Sequence, residues 1–437
     1  MQALISQLDS ILPTGLTGCV VRTDGATTAV AGFPAPVGSL VEIQRHGGQP
    51  VQGEVIGFRE QLTLVSPLGE ITGVRYGSRV RLTQTSRFIR IGDGLLGRVI
   101  DARGRSIDAL PEPILRQRAA LQRAAPPALE RPRIDRPLAT GIRAIDGLLP
   151  CGRGQRMGIF AGAGIGKSVL LGMMARATAA DVNVIALIGE RGREVNEFIQ
   201  RQLGPAGLKK SVVVVATSDE PALVRVEAAL TATAVAEYFR DQGRDVLLAM
   251  DSLTRFATAQ REIGLAAGEP PATRGFPPSV FGVLPRLLER AGRTSTGSIT
   301  AFYTVLVEGD DLNEPISDAI RGLLDGHIVL SRKLAGAGHY PAIDVLESIS
   351  RLAPSVATPA HLSAMHRLRG LLAAYRDHED LISVGAYRAG TNPQVDAALA
   401  VRDPLARYLR QAQEERSTRE DAVRALLELA EACGATA

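Results

Sequence analysis

Eight consecutive residues carry the strongest chemical signal in this chain. Ala161-Gly162-Ala163-Gly164-Ile165-Gly166-Lys167-Ser168 matches the phosphate-binding pattern GxxxxGK(S/T), with alanine at the first glycine position. An apolar strand, Met157 to Phe160, runs into it, and a helix is expected to open near Val169, which is the context the pattern needs. Glycines let consecutive backbone N–H groups curl around a phosphate, and the helix N-terminus adds its positive end. Lys167 is then placed for the β- and γ-phosphates, and the Ser168 hydroxyl for Mg²⁺. Only four of the 50 basic residues are lysines (Lys167, Lys209, Lys210 and Lys333), yet the loop keeps one. A compact ammonium fits between phosphate oxygens where a planar guanidinium does not.

Two carboxylates complete the set. Asp245-Val-Leu-Leu-Ala-Met-Asp251 is an apolar strand ending in an acid 84 positions after Lys167, as expected of the aspartate that holds magnesium in such sites. Ile188-Gly-Glu-Arg-Gly-Arg-Glu194 follows a second strand, Val184 to Ile188. A strand end beside the phosphate-loop strand would face the γ-phosphate, where Glu190 can polarise an attacking water. Glu194 is expected to pair with an arginine instead. The chemistry these residues imply is MgATP hydrolysis, with ATP and Mg²⁺ as the bound species.

These residues need a scaffold, and the pattern around them supplies one. At 46.3 kDa the chain is too long for a single hydrophobic core. Period-two alternation broken by glycine turns runs from Gly18 to Leu82, which suggests a small β-barrel. Residues 103–137 are rich in Pro and Arg with sparse apolar positions, and read as an extended surface connector. Strands at Met157 to Phe160, Val184 to Ile188, Val212 to Ala216, Val246 to Met250 and Ile299 to Val305 alternate with helical stretches. That order is the mark of an α/β fold, a parallel sheet covered on both faces. After Pro359 the chain reads as helical, with segments at Pro404 to Gln413 and Thr418 to Cys433. Three domains are expected: residues 1–83, 84–356 and 357–437.

Composition excludes other classes. No apolar run reaches about 18 residues, the length a membrane helix needs. Met1 to Leu12 lacks a basic signal-peptide flank and carries Leu4, Ile5, Leu8, Ile11 and Leu12 on one helical face, either packed on the barrel or offered to a partner. Three scattered cysteines and six histidines without HExxH spacing argue against disulfides and a metal centre. A cytoplasmic protein is expected.

Longer stretches bring a family into view. Pro137-Leu-Ala-Thr-Gly-Ile-Arg-Ala-Ile-Asp146, Gly152-Arg-Gly-Gln-Arg156, the Gly189 to Glu194 run, Asp251-Ser-Leu-Thr-Arg255 and Pro341-Ala-Ile-Asp344 with Ser350-Arg351 resemble the rotary-ATPase-like family over nearly the whole chain. Val283-Leu-Pro-Arg-Leu-Leu-Glu-Arg-Ala-Gly292 resembles its type III protein-export ATPases. Val307-Glu-Gly-Asp-Asp-Leu-Asn-Glu-Pro315 and Leu324-Asp-Gly-His-Ile-Val-Leu-Ser-Arg332 resemble the flagellar branch of these.

That resemblance implies a RecA-like nucleotide core between an N-terminal β-barrel and a C-terminal helical domain. It implies a homohexamer at the cytoplasmic face of the inner membrane that energises export of flagellar proteins. Its partners would be an ATPase regulator, a central stalk protein, an export gate and export chaperones, with peripheral contact to the membrane machinery and no nucleic acid. Lys167 and Ser168 match phosphate and magnesium ligands, Glu190 the catalytic glutamate and Asp251 the magnesium carboxylate. Arg351 matches an arginine finger given to the neighbouring subunit, and Tyr340 an aromatic packed on adenine. Export ATPases accept alanine at the position of Ala161, and non-catalytic ring subunits lack the glutamate found here.

Three rivals share parts of this pattern. An RNA-translocating hexamer needs stacking aromatics, and the barrel region holds only Phe33, Phe58 and Tyr76, which are scattered. A rotary synthase catalytic subunit is disfavoured by the Pro285 to Gly292 stretch. A virulence-injectisome ATPase differs only in the machine served, and the run from Glu308 to Asn313 favours the flagellum over it.

Overall fold

The structure is a computed structural model that describes residues 15–24, 27–307, 309 and 311–432. The amphipathic segment Met1 to Leu12 and residues Glu308 and Asp310 lie outside the described residues.

Six strands close an antiparallel barrel: β1 (Thr17–Asp24), β2 (Thr27–Ala31), β3 (Leu40–Ile43), β4 (Val51–Arg59), β5 (Leu62–Pro67) and β6 (Arg79–Gln84). They run in the order β1-β2-β5-β4-β3-β6, and β6 pairs back onto β1. Alternation turns Val41, Ile43, Val80 and Leu82 into the lumen with Val20, Val30, Val55 and Val65. β2 went unread in the sequence because Thr27 to Val30 are all buried, so no period of two marks it.

Part of residues 103–137, expected as a surface connector, is instead built into the core through a strand at Gln117–Ala120 and through Leu115 and Leu121. β7 (Phe88–Ile91) pairs antiparallel with β9 (Gln117–Ala120), while β8 (Val99–Asp101) adds a parallel edge strand to the large sheet. Ile89, Ile91, Leu115 and Leu121 are buried in the same core as that sheet. These apolar residues are few and widely spaced, but each plugs a core built by other elements, so local density underestimates their burial.

The large sheet contains β10 (Arg156–Ala161), β11 (Val182–Glu190), β12 (Ser211–Thr217), β13 (Asp245–Asp251), β14 (Ser298–Leu306), β15 (Gly326–Leu330) and β16 (Ile343–Ser350). Its order is β16-β15-β10-β14-β13-β11-β12-β8, parallel throughout except for β16, which runs antiparallel to β15. Successive residues feed opposite faces. Val184, Ala186 and Ile188 enter one hydrophobic cluster, while Ile185 and Leu187 enter the other. Helix α1 (Lys167–Ala177) covers the second face and α2 (Ala222–Asp241) the first.

Three long helices follow: α3 (Pro359–Ser383), α4 (Pro393–Leu409) and α5 (Arg419–Ala432). The segment expected as a helix over Pro404 to Gln413 is the last six residues of α4 plus non-helical chain. The helix starts eleven residues earlier, where the Asn392 side chain accepts from the backbone N–H groups of Gln394 and Val395. Leu368, Leu405 and Leu426 from these helices share one core with α1 and β10. The helices pack on the short helix Arg143–Leu148 and, through α3, on β16, and that shared core links them to the element that carries the phosphate-binding pattern. No helix among the described residues is long and apolar enough to cross a membrane.

Candidate functional site

The phosphate-binding pattern lies at the carboxyl edge of the sheet, between β10 and α1. Gly164 and Gly166 take left-handed backbone at φ +77° and +93°, which turns the chain and aims successive N–H groups into one concavity. Ala161 is the last residue of β10 and is buried, in ordinary strand conformation. An L-residue fits there without strain, which is why glycine is dispensable at that one position. Lys167 opens the first turn of α1, followed by an exposed Ser168.

The two carboxylates meet the lysine. Lys167 Nζ lies 2.5 Å from Asp251 Oδ1 and 3.7 Å from Glu190 Oε1. Asp251 is 2% exposed at the end of β13, and its Oδ1 accepts a second hydrogen bond, 2.8 Å long, from Thr304 Oγ1 on neighbouring β14. Two donors on one oxygen fix the carboxylate in direction.

Glu190 arrives by a route the spacing did not suggest. Its strand is not beside β10, because β14 and β13 stand between them. Register supplies the reach instead. Ala161 pairs with Leu306, and the rung through Tyr303, Met250 and Ala186 lies three residues below, so Gly189 stands level with Ala161 and Glu190 just above. The glycine loop and the Lys167 side chain bridge the remaining width. Burial, and then the charge of Asp251, push the Glu190 carboxyl up to about 7 against the opposing pull of Lys167. A hydrogen bond with Glu194 raises it further. Glu194 thus faces Glu190 as well as Arg191, whose guanidinium lies 3.4 Å away. A carboxyl poised near neutrality beside a phosphate-binding loop is suited to exchanging a proton with water.

Tyr340 borders the other flank. Its ring lies beside Gly166, over a cavity of about 280 Å³ lined by Gly164, Met173, Leu330 and, from beyond α4, Gln411 and Gln413. The cavity is apolar enough to take a flat base. Sequence reading missed both glutamines and Thr304. No local signal marked Thr304, because the same buried strand also carries Ser298, Thr300 and Tyr303.

Arg351 does not join this cluster. It is exposed just past β16, and its N–H donates to Asp325 O at 3.0 Å, at the amino-terminal edge of the sheet opposite the loop. The first residue of β15, Gly326, pairs with Ser350, which places Arg351 at the far end of the strand that borders β10.

Comparison with known proteins shows the family to which the chain belongs. The family described as ATP synthase alpha/beta family, nucleotide-binding domain, matches residues 141–350, and the T3SS EscN ATPase C-terminal domain matches residues 357–428. The chain is 50% identical over 414 residues to a flagellum-specific ATP synthase of Bacillus subtilis, covering 94% of each chain. It is also 50% identical over 410 residues to a type 3 secretion system ATPase of Xanthomonas euvesicatoria, covering 94% of this chain and 93% of the relative. It superposes with TM-score 0.87 and 45% identity on the assembled ATPase EscN of enteropathogenic E. coli, solved in complex with its central stalk EscO. That match covers 94% of this chain and 100% of EscN.

Proposed function

The chain is an ATPase that belongs to the ATP synthase alpha/beta family, among the flagellum-specific ATP synthases and type III secretion ATPases, and on that premise we propose that it hydrolyses MgATP to energise export of flagellar proteins. The observation that carries the reading is the meeting of Lys167, Asp251 and Glu190 at the mouth of a glycine loop.

Backbone N–H groups from Gly162 to Lys167 hold the phosphates, and Lys167 exchanges its carboxylate partner for β- and γ-oxygens. The residues fit a divalent cation. A buried, doubly bonded Asp251 carboxylate already faces a positive charge in the Lys167 ammonium, and the Ser168 hydroxyl stands one residue on. Ser168 and Asp251 would hold Mg²⁺, which when bound adds positive charge against the phosphate oxygens. Glu190 orients water for attack and accepts its proton. Tyr340 packs on adenine in the 280 Å³ cavity. Arg351, remote from its own loop, serves the loop of a neighbouring subunit in a homohexamer.

EscN is described as assembled and in complex with its central stalk EscO, and a ring around a central stalk is proposed for this chain, docked at the cytoplasmic face of the inner membrane. Its partners would include a regulator, the export gate and export chaperones, and no nucleic acid. Equal identity to an injectisome ATPase supports a second reading in which the same site drives effector injection. Two experiments test the proposal. The purified chain should hydrolyse ATP, and Lys167→Ala should remove both hydrolysis and ATP binding. A gene deletion complemented by that variant should leave cells without filaments. Motile cells with failed injection would overturn the flagellar reading in favour of the second.

A further inference from the structure

Between α4 and α5 the chain runs without regular structure from Arg410 to Ser417, and this strap crosses the base side of the nucleotide cavity. Gln411, 4% exposed, pins it. Its backbone N–H donates to Tyr340 O at 2.9 Å. Its side chain accepts from Arg143 N at 2.9 Å and donates to Gly141 O at 2.8 Å and to Glu415 O at 3.0 Å. Every polar atom of the amide is thus used, and its partners belong both to the sheet domain and to the strap itself.

Arg143 grips the same strap from outside. It donates to Tyr408 O at 3.0 Å, to Arg410 O and to the Glu415 carboxylate. A third anchor comes from α1, the helix that starts at Lys167: Arg176 Nη2 donates to Gln413 O at 2.8 Å. One short segment of the helical domain is therefore tied to the Tyr340 backbone, to the Gly141–Arg143 turn and to the phosphate-loop helix. A buried glutamine with all its hydrogen bonds made is costly to disturb and defines one geometry.

We propose that Gln411 is a positioning residue: by fixing the strap it holds Tyr340 at the base cavity and couples nucleotide occupancy to the helical domain. The inference rests on the nucleotide reading of the site. Gln411 acts through Tyr340 and touches no phosphate, so its loss weakens ATP binding and leaves the hydrolytic step nearly intact.

The test is a double-mutant cycle on the full-length protein, read by KM and kcat for ATP and by the Kd of a fluorescent ATP analogue. Gln411→Ala should raise KM and Kd by about 5–30-fold, the worth of one or two hydrogen bonds, with kcat within about threefold. Tyr340→Ala should also weaken binding. Adding Gln411→Ala to Tyr340→Ala should cost little more, because the held group is already gone. A structural role would instead add its full effect in the Tyr340→Ala background, and that result overturns the proposal.

Should Gln411→Ala fail to fold, Glu415→Gln takes its place in the cycle. That side chain is 40% exposed, and the change loosens the Arg143 grip and the bond that Ala412 N–H donates to the carboxylate, so a rise of about two- to fivefold is expected, again absent without Tyr340. A rise that adds fully to Tyr340→Ala, or no rise at all, overturns the proposal equally. Failure of the nucleotide reading looks different: wild type and Lys167→Ala would then both fail to bind ATP. Amide hydrogen exchange supplies an independent check. Saturating ATP analogue should slow exchange across residues 410–416 in wild type and not in Gln411→Ala, and equal slowing in both would refute the coupling.

Discussion

Arg351→Ala should abolish most hydrolysis without touching the loop in its own subunit, and the sheet register shows why. Arg351 N–H bonds Asp325 O, while Leu330 pairs with Ala161 at the loop. Five residues along β15 at about 3.3 Å each separate the two levels by roughly 17 Å. An arginine side chain of six bonds at about 1.5 Å covers well under that distance, and Lys167 lies further still beyond Ala161. The guanidinium therefore cannot reach its own γ-phosphate, and any rate effect must come through another copy. A guanidinium neutralising charge on the transferring phosphoryl group is worth roughly 10³–10⁵ in rate. The assay mixes Arg351→Ala with Lys167→Ala subunits. Neither alone should turn over, but mixed rings contain some interfaces with an intact loop facing an intact arginine, so activity should return to a fraction of wild type. Specific activity of the wild type should also fall on dilution. If mixed oligomers form and restore nothing, or if activity is flat with concentration, the action in trans is wrong.

Other substitutions probe the site and its support. Glu190→Gln should lower kcat by about 10²–10⁴ with ATP affinity nearly unchanged; near-normal turnover would transfer the role to Glu194. Thr304→Val keeps the β-branched shape but removes one of the two donors on Asp251, so kcat should fall about tenfold, and an unchanged kcat would show that Lys167 alone orients that carboxylate. Glu54 is buried beside Arg87 and Glu227 between barrel and core, and burial pushes its carboxyl up to about 7 from the usual 4.5, against Arg87 and with Glu227. A raised acid favours the fold when protonated, so this contribution is present below pH 4.5 and lost as pH rises through 7. Glu54→Gln should remove that loss, narrowing the stability difference between pH 4.5 and 8 by up to about 3 kcal/mol in chemical denaturation; identical pH slopes would refute it.

What the sequence showed well is what depends on neighbours along the chain. The loop from Ala161 to Ser168 and its flanking strand and helix are local patterns, and each appears in the structure as an element or a turn of that kind. The barrel strands with polar–apolar alternation were legible; β2, buried along almost its whole length, was not. The residues that escaped are those whose role is set across the sheet. Thr304 matters because β14 lies beside β13, and Gln411 because α4 ends over Tyr340, facts that no spacing encodes.

Glu190 shows how a local clue and a non-local fact combine. Its candidacy rested on a carboxylate at a strand end, with that strand taken as the neighbour of β10; two strands actually intervene. It still comes within 3.7 Å of Lys167, because in a parallel sheet all strand ends share one edge and the register sets their height there. β11 runs one residue past the level of Ala161, and the Lys167 side chain reaches Asp251 at the end of β13 as well as Glu190. Height along the strand, not adjacency, selects which carboxylates face the loop. The same rule explains the opposite case. Arg351 ends a strand only one place removed from β10, but β16 is antiparallel, so its carboxyl end lies on the far edge and adjacency gains it nothing. Reversing one strand is what takes Arg351 out of reach of the loop in its own subunit.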